Sequence, residues 1–171
     1  MKTNIVLIGF MGAGKSTITE LLAVKLNKQA VELDSLIEIK AGKPIASIFK
    51  NDGEVVFRQF EIEITKEIAA NVNQVISCGG GIVLNSVNME RLKEKGVVIY
   101  LQASPEVLHK RIVGKQIDRP LLKEDGSQQT IKKMMQTRQP LYKRAADIII
   151  DTTDIDTEAT VELIIEAVEG L

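Results

Sequence analysis

The sequence predicts an α/β protein, in which a parallel sheet has helices on both faces. Short apolar runs alternate with segments of helical periodicity along the 171 residues. The runs are nearly continuous in Val and Ile, as is typical of strands that are buried on both faces. A glycine-rich stretch joins the first run to the first helical segment. We expect strands at residues 5–8, 30–33, 74–77, 97–101 and 147–150.

The glycine-rich stretch, GFMGAGKST at residues 9–17, matches the phosphate-binding loop pattern of Gly, four residues, Gly-Lys and Ser or Thr. Its glycines allow successive backbone N–H groups to turn inward as an anion nest at a helix N-terminus. We expect Lys15 to reach the β- and γ-phosphates of a nucleoside triphosphate and Ser16 to ligate Mg²⁺. The predicted nucleotide contacts are Gly12, Ala13, Gly14, Lys15, Ser16 and Thr17.

Amphipathic helices are predicted near both ends of the chain. The helix after the loop has an apolar stripe of Ile18, Leu21, Leu22 and Leu26. The C-terminal helix has Thr157 as its candidate N-cap and a stripe of Val161, Ile164, Ile165 and Val168.

Two stretches are not needed to build the sheet. Residues 34–72 have the pattern of helices interrupted by Gly42, Pro44 and Gly53. Residues 113–126 are polar and rich in turn residues, which predicts a mobile flap over the site. Arg119 in this flap could neutralise charge on a transferring phosphoryl group, and the alternative is a solvated loop charge.

Arginine is much scarcer than lysine in this chain, so the arginine positions are informative. The helix predicted to start near Ser127 has an apolar stripe of Ile131, Met134 and Met135. Arg138 continues this stripe just before Pro140, where we expect the helix to end. A buried guanidinium requires a partner, either a ligand or a protein carboxylate. Glu61 lies three residues after Arg58. It could hold the Arg58 guanidinium in place for a ligand, or the two residues could form a surface salt bridge.

Ligands of parallel sheets bind at the carboxyl ends of the strands. Asp34 ends the second strand, two residues after Glu32, and could orient or deprotonate an acceptor hydroxyl. The alternative is that Asp34 caps the next helix. Gly79-Gly80-Gly81 follows the third strand and permits close approach of backbone to a ligand, or else forms a plain turn.

The bulk composition excludes some partners. The formal net charge is -1, so no overall field attracts the chain to nucleic acid or to an anionic membrane. No apolar run has membrane-spanning length, and no signal peptide is visible. The single cysteine, Cys78, suits a reducing compartment and is expected to be a buried, inert thiol. We therefore expect a cytoplasmic, monomeric protein with one domain over residues 1–171.

With these residues in place, the chain resembles the shikimate kinases over nearly its full length. The features that carry the resemblance are the loop at residues 9–17, Asp34, Phe57-Arg58-x-x-Glu61, Gly79-Gly80-Gly81, Arg119-Pro120-Leu121 and Arg138-x-Pro-Leu-Tyr142. The family is similar in fold to nucleoside monophosphate kinases, with a five-stranded parallel sheet, a helical substrate-binding insertion (here residues 34–72) and a lid (here residues 113–126). It phosphorylates the 3-hydroxyl of shikimate with ATP and Mg²⁺, in the route to aromatic amino acids.

The resemblance also implies roles for individual residues. Asp34 would meet the shikimate hydroxyls, and the rest of the substrate would be held by Arg58, Gly79, Gly80, Gly81 and Arg138. Arg119 would reach the ATP phosphates from the lid, and Arg111 would lie near the adenine. Glu32 stands where the family usually has aspartate and would support Mg²⁺ through water. The implied catalytic residues are Lys15, Asp34 and Arg119.

Two alternatives remain open at this point. A small-molecule kinase of the same architecture could act on gluconate or a nucleoside monophosphate. A GTP-binding switch or a non-catalytic nucleotide-binding regulator would belong to another class of protein. The Asn-Lys-x-Asp signature for guanine does not occur, because Asn27-Lys28 is followed by Gln29-Ala30.

Overall fold

The computed structural model describes residues 2–114 and 127–170. Arg119 and most of the predicted flap lie outside the described residues. Within them, five parallel strands form one sheet in the order β2-β3-β1-β4-β5. The strands are β1 Asn4–Ile8, β2 Gln29–Glu32, β3 Gln74–Ser77, β4 Gly96–Gln102 and β5 Ile148–Asp151. The predicted fold class is confirmed.

Burial along the strands follows their place in the sheet. Every residue of β1 and β3 is buried, which agrees with their continuous apolar composition. The edge strands β2 and β5 each expose residues, because nothing pairs with their outer sides among the described elements. The centre of the sheet therefore forms the core.

Helices flank this sheet. They are α1 Lys15–Lys25, α2 Leu33–Ala41, α3 Ile45–Asn51, α4 Glu54–Ala69, α5 Ser86–Lys95, α6 Pro105–Val113, α7 Gln128–Ala145 and α8 Thr157–Glu169. A 3₁₀ turn spans Ile82–Leu84. The breaks at Gly42, Pro44 and Gly53 separate α2, α3 and α4 as predicted. Of the helices that the structure describes, none has the length and apolar character needed to cross a membrane.

Helix ends confirm one prediction and correct two. The hydroxyl of Ser127 accepts from the backbone N–H of Thr130 at 3.3 Å, so Ser127 caps α7. Thr157 is not the cap of α8, because the Asp156 carboxylate accepts from the N–H of Ala159 at 2.8 Å and Thr157 is the first helical residue. Pro140 does not end α7, which continues to Ala145. Buried Met135 and Tyr142 anchor the helix on both sides of the proline, so packing offsets the missing hydrogen bond.

Candidate functional site

A cleft of about 1040 Å³ opens at the carboxyl ends of β1, β2 and β3. Its walls come from the phosphate loop (residues 9–17), from α2, α3 and α4, from the residues after β3 and from α7. The chemically informative lining residues are Ser16, Glu20, Glu32, Asp34, Arg58, Glu61, Gly79, Gly80, Gly81 and Arg138. This position agrees with the expectation for ligands of parallel sheets.

The phosphate loop turns directly into α1. Gly12 and Gly14 have φ of +83° and +89°, a left-handed conformation that side-chain-bearing residues rarely adopt. A side chain at Gly12 would also meet Ile112 of α6, since a Cβ there would lie 3.0 Å from Ile112 Cγ1. The loop therefore packs closely against α6 and leaves its N–H groups at the N-terminus of α1.

Lys15, the first residue of α1, lies over this loop. Its Nζ donates to the carbonyl oxygens of Gly9 at 2.8 Å and Phe10 at 3.0 Å. These contacts place the ammonium at the loop, where a phosphate group would be held. Ser16 follows it and faces the cleft.

The sequence suggested that Asp34 ends the second strand, and the structure corrects this prediction. β2 ends at Glu32, and Asp34 lies in the first turn of α2. Asp34 is not the N-cap either, because Glu32 occupies that position without a side-chain capping bond. Both carboxylates line the cleft. A carboxylate in the first turn of a helix interacts favourably with the helix dipole, and Asp34 occupies such a position.

Arg58 is held by two carboxylates of its own helix, α4. Its Nη1 donates to both oxygens of Glu61 at 3.1 Å, which confirms the predicted i, i+3 contact. Its Nε and Nη2 donate to Glu54 Oε1 at 3.3 and 3.1 Å, a partner that was not predicted although the i, i+4 spacing indicates it. The pair with Glu61 is not a surface salt bridge, because Glu61 is only 1% exposed. Burial raises the pKa of Glu61, and the charge of Arg58 opposes this shift.

The glycine triplet, Gly79-Gly80-Gly81, makes room for two of these side chains. A Cβ on Gly79 would lie 2.8 Å from Asp34 Oδ1, and one on Gly81 would lie 2.5 Å from Arg58 Nη2. None of the three glycines has a positive φ. Gly79 and Gly81 therefore serve the close approach of Asp34 and Arg58 rather than an unusual backbone conformation.

Arg138 enters the cleft from α7, on the face that the sequence predicted to be buried. It is 7% exposed, and its Nη1 has no hydrogen-bond partner in the part of the chain that the structure describes. Its Cζ lies 6.0 Å from the centre of the Phe10 ring. Within residues 2–114 and 127–170, no carboxylate forms an ion pair with Arg138. Because a buried guanidinium is costly without an anion, this position favours a bound anionic ligand.

Arg111 lies apart from this cleft, beside the segment after β5. Its Nη2 donates to the Thr152 carbonyl at 2.9 Å and its Nη1 to the Thr152 hydroxyl at 3.3 Å. Thr152 is itself buried, and its hydroxyl donates to the Gln102 carbonyl at 3.1 Å. The structure thus joins Arg111 to the ends of β4 and β5, a link between distant segments that no local pattern could reveal.

Two further predictions concern Cys78 and the metal. Cys78 is buried, and burial raises the pKa of its thiol strongly, so it is inert as expected. Among the described residues no group of three or more His, Cys, Asp or Glu side chains could hold a metal ion. The Ser16 hydroxyl and the Glu32 carboxylate at the cleft are oxygen donors of the kind that Mg²⁺ accepts alongside phosphate and water.

Known proteins similar to this chain agree on one family. The family model described as shikimate kinase matches residues 11–169. A shikimate kinase of Thermodesulfovibrio yellowstonii is 44% identical over 98% of this chain and 96% of its own. One of Dehalococcoides mccartyi is 44% identical over 88% of this chain and 85% of its own. The structure of a shikimate kinase from Acinetobacter baumannii in complex with shikimate superposes with a TM-score of 0.93, at 32% identity, over 99% of this chain and 94% of that one.

A match that begins at residue 11 and spans almost the whole chain includes most of the phosphate loop and the segments that line the cleft. The fold, the cleft and these relatives lead to the same conclusion. The chain belongs to the shikimate kinase family.

Proposed function

We propose that this chain transfers the γ-phosphoryl group of ATP to the 3-hydroxyl of shikimate, which gives shikimate 3-phosphate and ADP. The observation that carries the proposal is the convergence of Arg58, Arg138 and Asp34 on the cleft that begins at the phosphate loop. Two guanidinium groups suit an acidic acceptor, because a carboxylate accepts their paired N–H donors well. A single carboxylate suits a neutral hydroxyl that must be oriented and lose a proton.

The nucleotide side of the site would be built by the phosphate loop. Backbone N–H groups of residues 12–17 and the ammonium of Lys15 would hold the β- and γ-phosphates. Arg119 would approach from the lid and neutralise charge on the transferring group. Arg111, held beside Thr152, would lie against the adenine. Mg²⁺ would be held by Ser16 and, through water, by Glu32, and it would neutralise charge that develops on the phosphate oxygens.

On the acceptor side, Arg58 and Arg138 would bind the shikimate carboxylate, and the glycine triplet would bring backbone close to the ring. Asp34 would orient the 3-hydroxyl for in-line attack on the γ-phosphorus and accept its proton. Phosphoryl transfer depends chiefly on positioning and charge neutralisation, so this set of groups is sufficient. We further propose that the protein acts as a monomer in the cytoplasm, where its one thiol stays reduced.

ADP release with separate acceptors tests the proposal. We expect rapid, ATP-dependent ADP release with shikimate and only background release with gluconate or AMP. A kinase with another acceptor would reverse this order. A nucleotide-binding regulator would bind ATP without turnover that depends on shikimate. Equal release with all three acceptors would contradict the assignment of Arg58 and Arg138 to a carboxylate.

Arg138→Lys should raise the KM for shikimate by roughly 10- to 150-fold, which is the range for loss of a charge-assisted contact. Lysine keeps the charge but loses the planar fork, so the effect reports geometry rather than net charge. The KM for ATP should change far less, and steady-state kinetics with each substrate varied in turn measures both. Arg91→Lys on α5 is the matched control, since Arg91 does not line the cleft. Equal effects on both KM values would contradict the assignment.

A further inference from the structure

Tyr142 connects α7 to the residues that follow β3. Its side chain is completely buried, and its hydroxyl donates to the backbone carbonyl of Gly80 at 2.5 Å. Its ring stacks on Tyr100 of β4, with centroids 5.0 Å apart and an interplanar angle of 21°. Stacking fixes the ring, so the hydroxyl has little freedom to leave Gly80.

Gly80 lies between the phosphate loop and α7. A Cβ built on it would be 3.5 Å from the backbone nitrogen of Met11 and 3.7 Å from the Tyr142 hydroxyl. Because a trans peptide is planar, a fixed Gly80 carbonyl also fixes the direction of the Gly81 N–H, which points the opposite way. Gly81 in turn borders Arg58. The direction of the Gly80 carbonyl therefore affects the N–H donors of the glycine triplet and the space beside Arg58.

Tyr142 also lies next to Arg138, which is one helical turn earlier on α7. Burial raises the pKa of the Tyr142 phenol, and the neighbouring Arg138 guanidinium opposes that shift. The phenol is thus close to the guanidinium on one side and bonded to the glycine triplet on the other.

We propose that Tyr142 is a positioning residue for the acceptor, which fixes the spacing between Arg138 and the glycine triplet. This proposal rests on the acceptor site proposed above. Without the hydroxyl, the carbonyl of the half-buried Gly80 loses its donor, and the peptide can rotate to find another. The N–H groups that would bind shikimate would then no longer be preorganised. Affinity for shikimate would fall, while the nucleotide site would stay intact.

The test compares Tyr142→Phe with Tyr100→Phe. Each variant removes one hydroxyl and keeps the stacked pair of rings, but only the first hydroxyl contacts the triplet. Burial and the charge of Asp151 raise the pKa of Tyr100 to about 12. Calorimetric titration gives the Kd for shikimate and for ADP, and the stoichiometry of ADP binding counts the folded protein, so partial unfolding does not distort the comparison.

We expect the Kd and KM for shikimate to rise roughly 5- to 20-fold in Tyr142→Phe, with ADP affinity unchanged, and no such change in Tyr100→Phe. Tyr142→Phe with normal shikimate affinity, or equal losses in both variants, would overturn the proposal and leave Tyr142 as a core residue that only stabilises the fold. Arg138→Lys, measured alongside, separates the two hypotheses. If it weakens shikimate binding while Tyr142→Phe does not, only the positioning role fails. If neither variant affects shikimate binding, the proposed acceptor site fails as well.

Discussion

Asp34→Asn should lower kcat by about 10²- to 10⁴-fold, the range expected when a general base is removed. Asparagine has the same shape and still fits against Gly79, so the cleft should keep its form. It cannot accept the proton of the shikimate 3-hydroxyl, so the loss should appear in the chemical step. The KM for shikimate should change much less than kcat, because both guanidinium groups remain. Single-turnover measurements with bound ATP and shikimate would isolate this step.

Glu38→Gln is the matched control for Asp34→Asn. Glu38 lies on the same helix and lines the same cleft, and its carboxylate accepts from the N–H of Ile45 at 2.8 Å. Glutamine can still accept that hydrogen bond, so we expect kcat to stay within about threefold of the wild-type value. If Asp34→Asn kept more than about a tenth of the wild-type kcat, general-base catalysis by this carboxylate would be excluded.

Lys15→Met should lower kcat by about 10²- to 10³-fold, as expected for the loss of one preorganised donor to a developing charge. Methionine has nearly the length of lysine but no charge, so it fills the space without neutralising the phosphates. The carbonyls of Gly9 and Phe10 would lose their donor, which should also loosen the loop and raise the KM for ATP. Initial rates at varied ATP, with shikimate saturating, measure both effects.

Lys25→Met on the same helix controls for the loss of a lysine. Lys25 pairs with Glu162 at the exposed contact between α1 and α8, far from the loop. Surface pairs of this kind contribute little, so activity should be unchanged. A Lys15→Met enzyme with near-normal kcat would show that the lysine has no role in charge neutralisation, even if the phosphate loop binds ATP.

Local patterns predicted the fold well, because they depend on interactions between near neighbours. The strand predictions lie within two residues of the observed limits, since continuous Val and Ile indicate burial on both faces. The apolar stripes of α1 and α8 were also correct, since Ile18, Leu22, Val161 and Ile164 are all buried. Errors occurred where two local signals competed. Asp156 and Thr157 are both good caps, and Pro140 breaks a helix only when packing does not hold it.

The candidate site was partly visible in the sequence. The residues were recognisable because phosphate loops, scarce arginines and strand ends have known chemistry. Most of the interaction partners of these residues were not recognisable in the sequence. Arg58 with Glu61 follows from helical spacing, but the contacts of Tyr142 with Gly80 and of Arg111 with Thr152 join segments that are far apart in the chain. Arg119 and the lid stay a prediction, since Arg119 and most of the lid lie outside the described residues.

The sequence by itself determined the kind of chemistry: a loop for phosphates, arginines for an acid and a carboxylate for a hydroxyl. Tertiary structure alone decided how these groups share one cleft. It places Asp34 in the first turn of α2, leaves Nη1 of a buried Arg138 without a hydrogen-bond partner among the described residues, and uses glycines to admit Asp34 and Arg58. The physical reason is that residue types and short periodicities are local properties. The close approach of two side chains and their burial from solvent depend on which distant segments the whole sheet brings together.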